Sequence, residues 1–512
     1  MKLVENMKDN RHFLFVIVAL AIILPYSSMA MTAPSSSFAQ DDDVVSEHAE
    51  HAPALWAQAG LENPITFVQT NVSGGANETF RNPPEITSSG GMLNATLRAE
   101  RKEIDISGQK VNATVYNGLY TPPTLRVHPG DTMHLKLENA LDKEMNLHHH
   151  GANVSPLNNS DNIFLHIKPG QTFDQQVFYP PQHEPGMLWY HSHFHGLVES
   201  QIFGGMSGAI IVDGILDPFP QLQGVKERIM LLKDFQNTGG RILTDDIDSN
   251  AGTTRTINGV ENPTIKIQPG ETQFWRIGNV GADIYYRLKL DGHTLYELSS
   301  DGNRNNQLVP QEEIILPPGS RTEVLVQGGP QGTYELRTLS YDQGPDGDHY
   351  PEVTLATLIS EGPAEEPIAL PTKEQFPIVE DLRNQTIADR RTFVFSEDPD
   401  TNQFYINKKQ FDENRINTNV TLGRIEEWTI RNVADEEHVF HIHQLDFQVI
   451  EVNGKPVPFT GHQDVVNLPV KSEVKILVPF TNPVMVGKFV YHCHIVAHED
   501  NGMMAVIKVA RP

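Results

Sequence analysis

Leu125-Arg-Val-His-Pro-Gly-Asp-Thr-Met-His-Leu-Lys-Leu-Glu-Asn139, Ile265-Lys-Ile-Gln-Pro-Gly-Glu-Thr-Gln-Phe-Trp-Arg-Ile-Gly-Asn279 and, more loosely, Val420-Thr-Leu-Gly-Arg-Ile-Glu-Glu-Trp-Thr-Ile-Arg-Asn432 are versions of one pattern. Each reads as a strand, a turn and a second strand with alternating apolar positions. A pattern that returns after about 140 and then about 155 residues implies three homologous β domains in tandem. The length agrees, because 512 residues exceed what one hydrophobic core serves. With 38 Gly and 35 Pro scattered among short Val/Ile/Thr-rich runs, many turns and short strands are expected rather than long helices. Boundaries are expected near Asp213-Gly214, after a strand at residues 209–212, and in the Glu/Pro-rich stretch 361–380.

Upstream of the first copy, Lys2, Lys8 and Arg11 precede an apolar run at residues 13–25 and a small-residue site at Ser28-Met29-Ala30. This is the layout of a secretory signal, and the run is shorter than the ~20 residues a membrane span needs. The chain is therefore expected to be exported, to the periplasm, cell surface or medium, with no stable membrane span in the mature form. Glu5 and Asp9 dilute the basic stretch, so an uncleaved anchor is the alternative. Residues 31–55 read as a disordered leader. The expected division is thus a signal at 1–30, the leader, and β domains at 56–214, 215–365 and 380–512. Eight Asn-x-Ser/Thr sequons (Asn71, Asn77, Asn94, Asn112, Asn153, Asn158, Asn384, Asn419) fit an exported chain and are silent on whether sugars are attached.

The formal charge of −26, from 65 acidic against 39 basic residues, excludes a nucleic-acid partner, which needs a basic footprint. The chain has one cysteine, Cys493, which cannot form an intramolecular disulfide. Its neighbourhood connects the first domain to the third. Trp189-Tyr-His-Ser-His193 is followed by Gly204-Gly-Met-Ser-Gly-Ala-Ile-Ile-Val212, and Val490-Tyr-His-Cys-His494 by Asn501-Gly-Met-Met-Ala-Val-Ile-Lys-Val509. Ser192 therefore stands where Cys493 stands.

Four His-x-His pairs are present: His148/His150, His191/His193, His441/His443 and His492/His494. Residues two apart on a strand point to the same face, so each pair presents two imidazoles side by side. One such pair is most simply an ordinary pair of histidines. Four pairs, two in each of two related domains, can hold more than one metal ion. Cys493, between His492 and His494, points to the opposite face and serves a second site. His438, His498 and Met503 lie near enough in sequence to complete a set of two imidazoles, one thiolate and one thioether, the ligands of a blue-copper electron-transfer centre.

At these residues the sequence resembles the multicopper oxidases, the family that includes laccases. Its four copper motifs stand here as His148-His-His-Gly151, His191-Ser-His193, His438-Val-Phe-His-Ile-His443 and His492-Cys-His-Ile-Val-Ala-His-Glu-Asp-Asn-Gly-Met503. The likeness runs from about residue 60 to the C-terminus and includes Asp291-Gly-His-Thr-Leu295 and Pro317-Pro-Gly-Ser-Arg-Thr-Glu-Val-Leu325 of the middle domain. The resemblance implies an all-β chain of three cupredoxin-like Greek-key sandwich or barrel domains, four copper ions, and a trinuclear cluster between the first and third domains. Carried over by motif, His438, Cys493 and His498 bind the type 1 copper with Met503 axial. His148 and His441 bind the type 2 copper, and His150, His191, His193, His443, His492 and His494 the type 3 pair. Glu499 matches a proton-relay acid of the family, and Asp161 resembles a second one. His149 falls at a variable position on the far side of its strand, and His195 reads as structural or as support for a ligand.

The implied activity is one-electron oxidation of a phenol, aromatic amine or metal cation at the type 1 copper, coupled to four-electron reduction of O2 to water. An axial Met usually accompanies a lower potential, which favours easily oxidised reductants. A metallo-oxidase for Cu(I), Fe(II) or Mn(II) in copper tolerance and a non-catalytic copper-binding or structural relative are the alternatives. The intact ligand set argues against the latter, and the absence of a Met-rich tract against a storage protein. Asp435-Glu-Glu437 and Asp446 could attract a cation, although solvated loop charges are the plainer expectation. Three complete domains predict that the cluster forms within a monomer.

Overall fold

A computed structural model describes residues 78–244, 247, 252–398 and 401–512. The expected signal, the leader and the sequons Asn71 and Asn77 lie outside the described residues. The two strands of each repeated pattern do not pair with each other. Thr124–Val127 and Thr132–Asn139 enter different sheets, as do Thr264–Ile267 and Thr272–Asn279, and Ile416–Thr421 and Arg424–Asn432. The turn therefore carries the chain from one layer of a sandwich to the other, and the alternating apolar side chains of both strands face the space between.

Each pattern thus begins a pair of facing sheets. The sheet that receives the first strand has the same order each time. Thr124–Val127, Ser207–Val212, Gly186–His191 and His148–His150 follow one another in the first, Thr264–Ile267, Val353–Ser360, Gly332–Leu339 and Tyr286–Leu290 in the second, and Ile416–Thr421, Met504–Ala510, Gly487–Cys493 and His438–Ile442 in the third. The leading pair is parallel in all three and the next pair antiparallel. The chain is all-β, with cupredoxin-like Greek-key sandwiches.

The asparagine that closes each pattern explains why the pattern ends there. Asn139 Nδ2 donates to the carbonyls of Lys143 and Ile167 while its Oδ1 accepts from Leu141 N. Asn279 does the same with Ile284, Leu316 and Gly281, and Asn432 with Glu436, Leu468 and Ala434. All three side chains are buried. Each supplies the partners that loop backbone groups would otherwise lose on leaving water. In the first and third sandwiches the pinned loop leads directly into His148 or His438.

Apolar packing covers the layers. Trp275 and Trp428 are fully buried at matching positions of the second and third patterns, and each indole N–H donates to the side chain two residues earlier, Gln273 or Glu426. Cys493 and Met503 lie in the same core cluster as Trp428, Phe440 and Tyr491. A separate cluster joins Met187 and Trp189 to Phe235, Val280 and Val496 across the seams between sandwiches.

Candidate metal centres

Strand pairing sets the imidazoles. His148 lies opposite His191 where His148–His150 pairs with Gly186–His191, and His441 lies opposite His492 in the matching pair of the third sandwich. The equivalent pair of the middle sandwich brings Arg287 opposite Leu339 and offers no imidazole. The two His-bearing edges meet face to face. His148 stacks on His443 at 3.8 Å and 8°, and His150 on His441 at 3.9 Å and 10°. All eight side chains of the four pairs are at most 1% exposed.

The outward nitrogens decide what the inward ones can do. His191 Nδ1 donates to Ser192 O, His492 Nδ1 to Cys493 O and His441 Nδ1 to Asp464 O, at 2.8–2.9 Å. His148 Nδ1 faces the Asp161 carboxylate at 3.0 and 3.1 Å, and His150 Nε2 faces Asp464 Oδ1 at 3.3 Å. A proton used outward leaves a lone pair inward. Those inward atoms converge: His492 Nε2 lies 3.1 Å from His443 Nε2 and 3.3 Å from His193 Nε2, and His494 Nε2 lies 3.1 Å from His150 Nδ1. Nε2 of His148, His191 and His441 is buried without any partner. Burial holds His148, His150, His193, His441, His443 and His494 far below the usual histidine range, and lowers His191 to about 3. Neutral rings with converging, unprotonated nitrogens are unfavourable together without a cation.

On the other face of the same strand Cys493 Sγ lies 3.7 Å from His498 Nδ1 and 3.9 Å from His438 Nδ1, and these two nitrogens are 3.1 Å apart. Met503 is fully buried. Its N–H donates to His498 O and its carbonyl accepts from Cys493 N, which ties it to the backbone of both. Val439 N donates to the sulfur at 3.4 Å. His438 is fully buried, whereas His498 is 8% exposed and carries Phe404 stacked on its ring at 4.1 Å.

Glu499 follows His498 in the short helix Val496–Asp500. Its carboxylate lies 3.0 Å from His492 Nδ1 and 3.3 Å from His193 Nδ1, in neither case aligned as a hydrogen bond. Asp161 also accepts from His149 N and Gln444 Nε2. Burial raises it to about 7 against those two hydrogen bonds. His149 points into the first sandwich, toward Tyr179 Oη and Gln175 Oε1. His195 is exposed and packs on Phe411.

The expectation of solvated loop charges fails for three of four carboxylates. Glu436 lies 2.9 Å from His498 Nε2. Burial alone would raise its pKa, yet His498 holds it low, while burial and Glu436 together push the neighbouring Glu397 up. Glu437 accepts from Tyr341 Oη and Asn467 Nδ2. Asp446 is internal, accepts from Asn153 and Asn303, and is pushed by burial to about 7. Only Asp435 is open, paired with Lys471. The hairpin around Tyr341 and Tyr350 covers the 435–437 loop: Glu437 N donates to Gln343 O and Asp346 N to Asp435 O. Sequence reading also missed Asp464, Gln444 and Arg321. Asp464 lies 21 residues beyond His443, too far for a spacing rule to find.

Imidazole and thiolate sets of this composition suit copper. Three family models described as multicopper oxidase match residues 98–215, 227–359 and 381–512. The multicopper oxidase mco of Staphylococcus aureus is 28% identical over 435 residues, covering 82% of this chain and 89% of that one. The cell division protein FtsP of Dickeya dadantii is 25% identical over 427 residues, covering 80% and 88%. Among solved structures, the multicopper oxidase from Campylobacter jejuni, described as a metallo-oxidase, superposes with a TM-score of 0.77 at 26% identity, covering 86% of this chain and 96% of that one.

Proposed function

The chain belongs to the multicopper oxidase family, copper-binding oxidoreductases, and on that premise we propose that it is a laccase-like oxidase taking electrons singly from a small reductant and passing four to O2. The observation that supports this most strongly is the convergence of eight buried imidazoles, five of which turn their other ring nitrogen outward to a backbone carbonyl or a carboxylate. His438, Cys493, His498 and Met503 would hold a type 1 copper, His148 and His441 a type 2 copper, and His150, His191, His193, His443, His492 and His494 a type 3 pair. Four bound coppers would supply one-electron oxidation of the reductant at the thiolate centre and reduction of O2 to water at the histidine cluster. All twelve residues of the implied ligand set are present in the sequence, which supports the oxidase over the non-catalytic alternative, although a cell division protein is among the relatives.

The residues divide the remaining work. Cys493 belongs to one centre while its covalent neighbours His492 and His494 belong to the other, so the two are joined by single peptide steps. Asp161 orients the His148 ring. Glu499, beside Nδ1 of His193 and His492, is the acid placed to hold a proton next to the cluster.

A second reading, oxidation of a metal cation, is favoured by Glu436 at His498 Nε2, the more exposed edge of the thiolate centre. A carboxylate there attracts a cationic reductant and gives nothing to a neutral phenol. Export by the N-terminal signal and a monomeric state belong to the same proposal. No helix among the described residues is long and apolar enough to cross a membrane. Oxygen uptake by the copper-loaded protein, with a phenolic dye, Fe(II) and Cu(I) in parallel, tests the reading. Uptake ranks the reductants; a blue protein that consumes no O2 with any of them overturns it.

A further inference from the structure

Arg321 belongs to the middle sandwich, which contributes none of the eight imidazoles, yet its guanidinium is fully buried and ends beside them. Nη1 and Nη2 donate to the two oxygens of Asp464 at 2.7 and 2.8 Å. The remaining donors are used as well: Nε reaches Met187 O of the first sandwich, Nη1 also Gly319 O, and Nη2 also Asp301 O. Asp301 in turn accepts from Arg321 N and from Val465 N, the residue after Asp464.

Asp464 faces the cluster with its other contacts. Its Oδ1 lies 3.3 Å from His150 Nε2, and its carbonyl accepts from His441 Nδ1 at 2.8 Å. These two rings come from different sandwiches and are stacked on each other. Space for the fork is kept by Gly151, directly after His150. A Cβ there, already strained at φ +85°, would come within 2.3 Å of Arg321 Nη2 and 2.7 Å of Asp464 Oδ2.

We infer that Arg321 is a positioning residue of the histidine cluster, through which the middle sandwich sets the orientation and tautomer of His150 and His441 by way of Asp464. A carboxylate held by one donor can turn about its last bond, whereas the planar two-pronged fork fixes its plane. The fixed plane directs Oδ1 at His150 Nε2 and keeps the ring proton there, so that Nδ1 faces inward. The inference rests on the copper reading above.

The test uses the full chain, copper-loaded, with Arg321→Lys, which keeps the charge and loses the fork. The expected result is an unchanged blue absorption from the thiolate centre, an altered type 2 copper hyperfine splitting, and cluster copper lost to a competing chelator at about 10–100-fold lower chelator concentration. An unchanged cluster signature in the folded variant overturns the inference. Equal disturbance of both centres also overturns it, because that marks a general staple between sandwiches. Should Arg321→Lys not fold, Arg321→Met combined with Asp464→Asn removes the pair together and leaves Asp301, which burial already pushes up to about 8, to keep its proton; it is read the same way. If the parent protein itself shows no cluster signature, the copper reading fails rather than this inference.

Discussion

Asp161 and His148 face each other at 3.0 Å, both buried, and the contact uses Nδ1 of the ring so that Nε2 turns toward the cluster. Eleven residues separate Asp161 from His150 in the chain, and the fold closes the gap by bonding the carboxylate to His149 N and Gln444 Nε2 as well. Asp161→Asn can present its NH2 to His148 and disturb the ring's tautomer. Turnover is expected to fall about 10–100-fold for phenolic and metal reductants alike, with the blue colour retained. A loss confined to one reductant would place Asp161 outside this role.

Cys493→Ser removes the only thiolate of the type 1 copper centre. Intense blue absorption and turnover should both vanish, while the melting temperature of the copper-free protein stays within a few degrees, because Ser is close in size and the site is closed by His438, His498 and Met503. Stopped-flow reduction and oxygen uptake give the check. Turnover surviving in this variant would mean that electrons enter elsewhere.

The convergence of the four pairs was legible because motif and strand period coincide: residues two apart on a strand present both rings together, and Cys493 between two such rings faces away. Asp464 and Arg321 were not legible, for a physical reason. Each acts across a boundary between sandwiches, where neither spacing nor periodicity carries information. The repeated strand-turn-strand pattern was read correctly as strands, but not as a crossing between layers, since alternation is the same in a hairpin and in a sandwich corner.

Glu436→Gln removes the negative charge beside His498 Nε2 and keeps the size. For a cationic reductant kcat/KM should fall about tenfold, or ~1.4 kcal/mol, well inside the ~4 kcal/mol that two unit charges 4 Å apart exchange near a protein surface. For a neutral phenolic dye it should hold or rise. Parallel changes for both would show that Glu436 acts on the copper ligand and not on the reductant.

Asp446 supplies a pH test of the junction it shares with Asn153 and Asn303. Burial raises its folded-state pKa to about 7, above the ~3.9 of an unfolded Asp. The folded state therefore holds the proton longer, and the stability this contributes is present at low pH and lost as pH rises through about 7. Asp446→Asn, which cannot ionise and whose partner amides can turn to match it, should gain on the parent as pH rises from about 5 to about 8. Melting temperatures that run parallel across that range would refute the assignment.

The repeated asparagines separate stability from metal binding. Asn432→Ala leaves the carbonyls of Glu436 and Leu468 and the amide of Ala434 without their partner, and Asn279→Ala does the same to Ile284, Leu316 and Gly281. Each buried group left unpaired is costly, so both variants should lose about 2–4 kcal/mol. The two loops lead into different strands. The one pinned by Asn432 delivers His438, whereas the one pinned by Asn279 leads into Tyr286–Leu290, a strand without an imidazole. Comparable losses in chemical denaturation are therefore expected, with weakened type 1 copper retention in Asn432→Ala alone. If Asn279→Ala loses that copper as readily, the thiolate centre depends on the stability of the whole chain and not on the loop that carries its histidine.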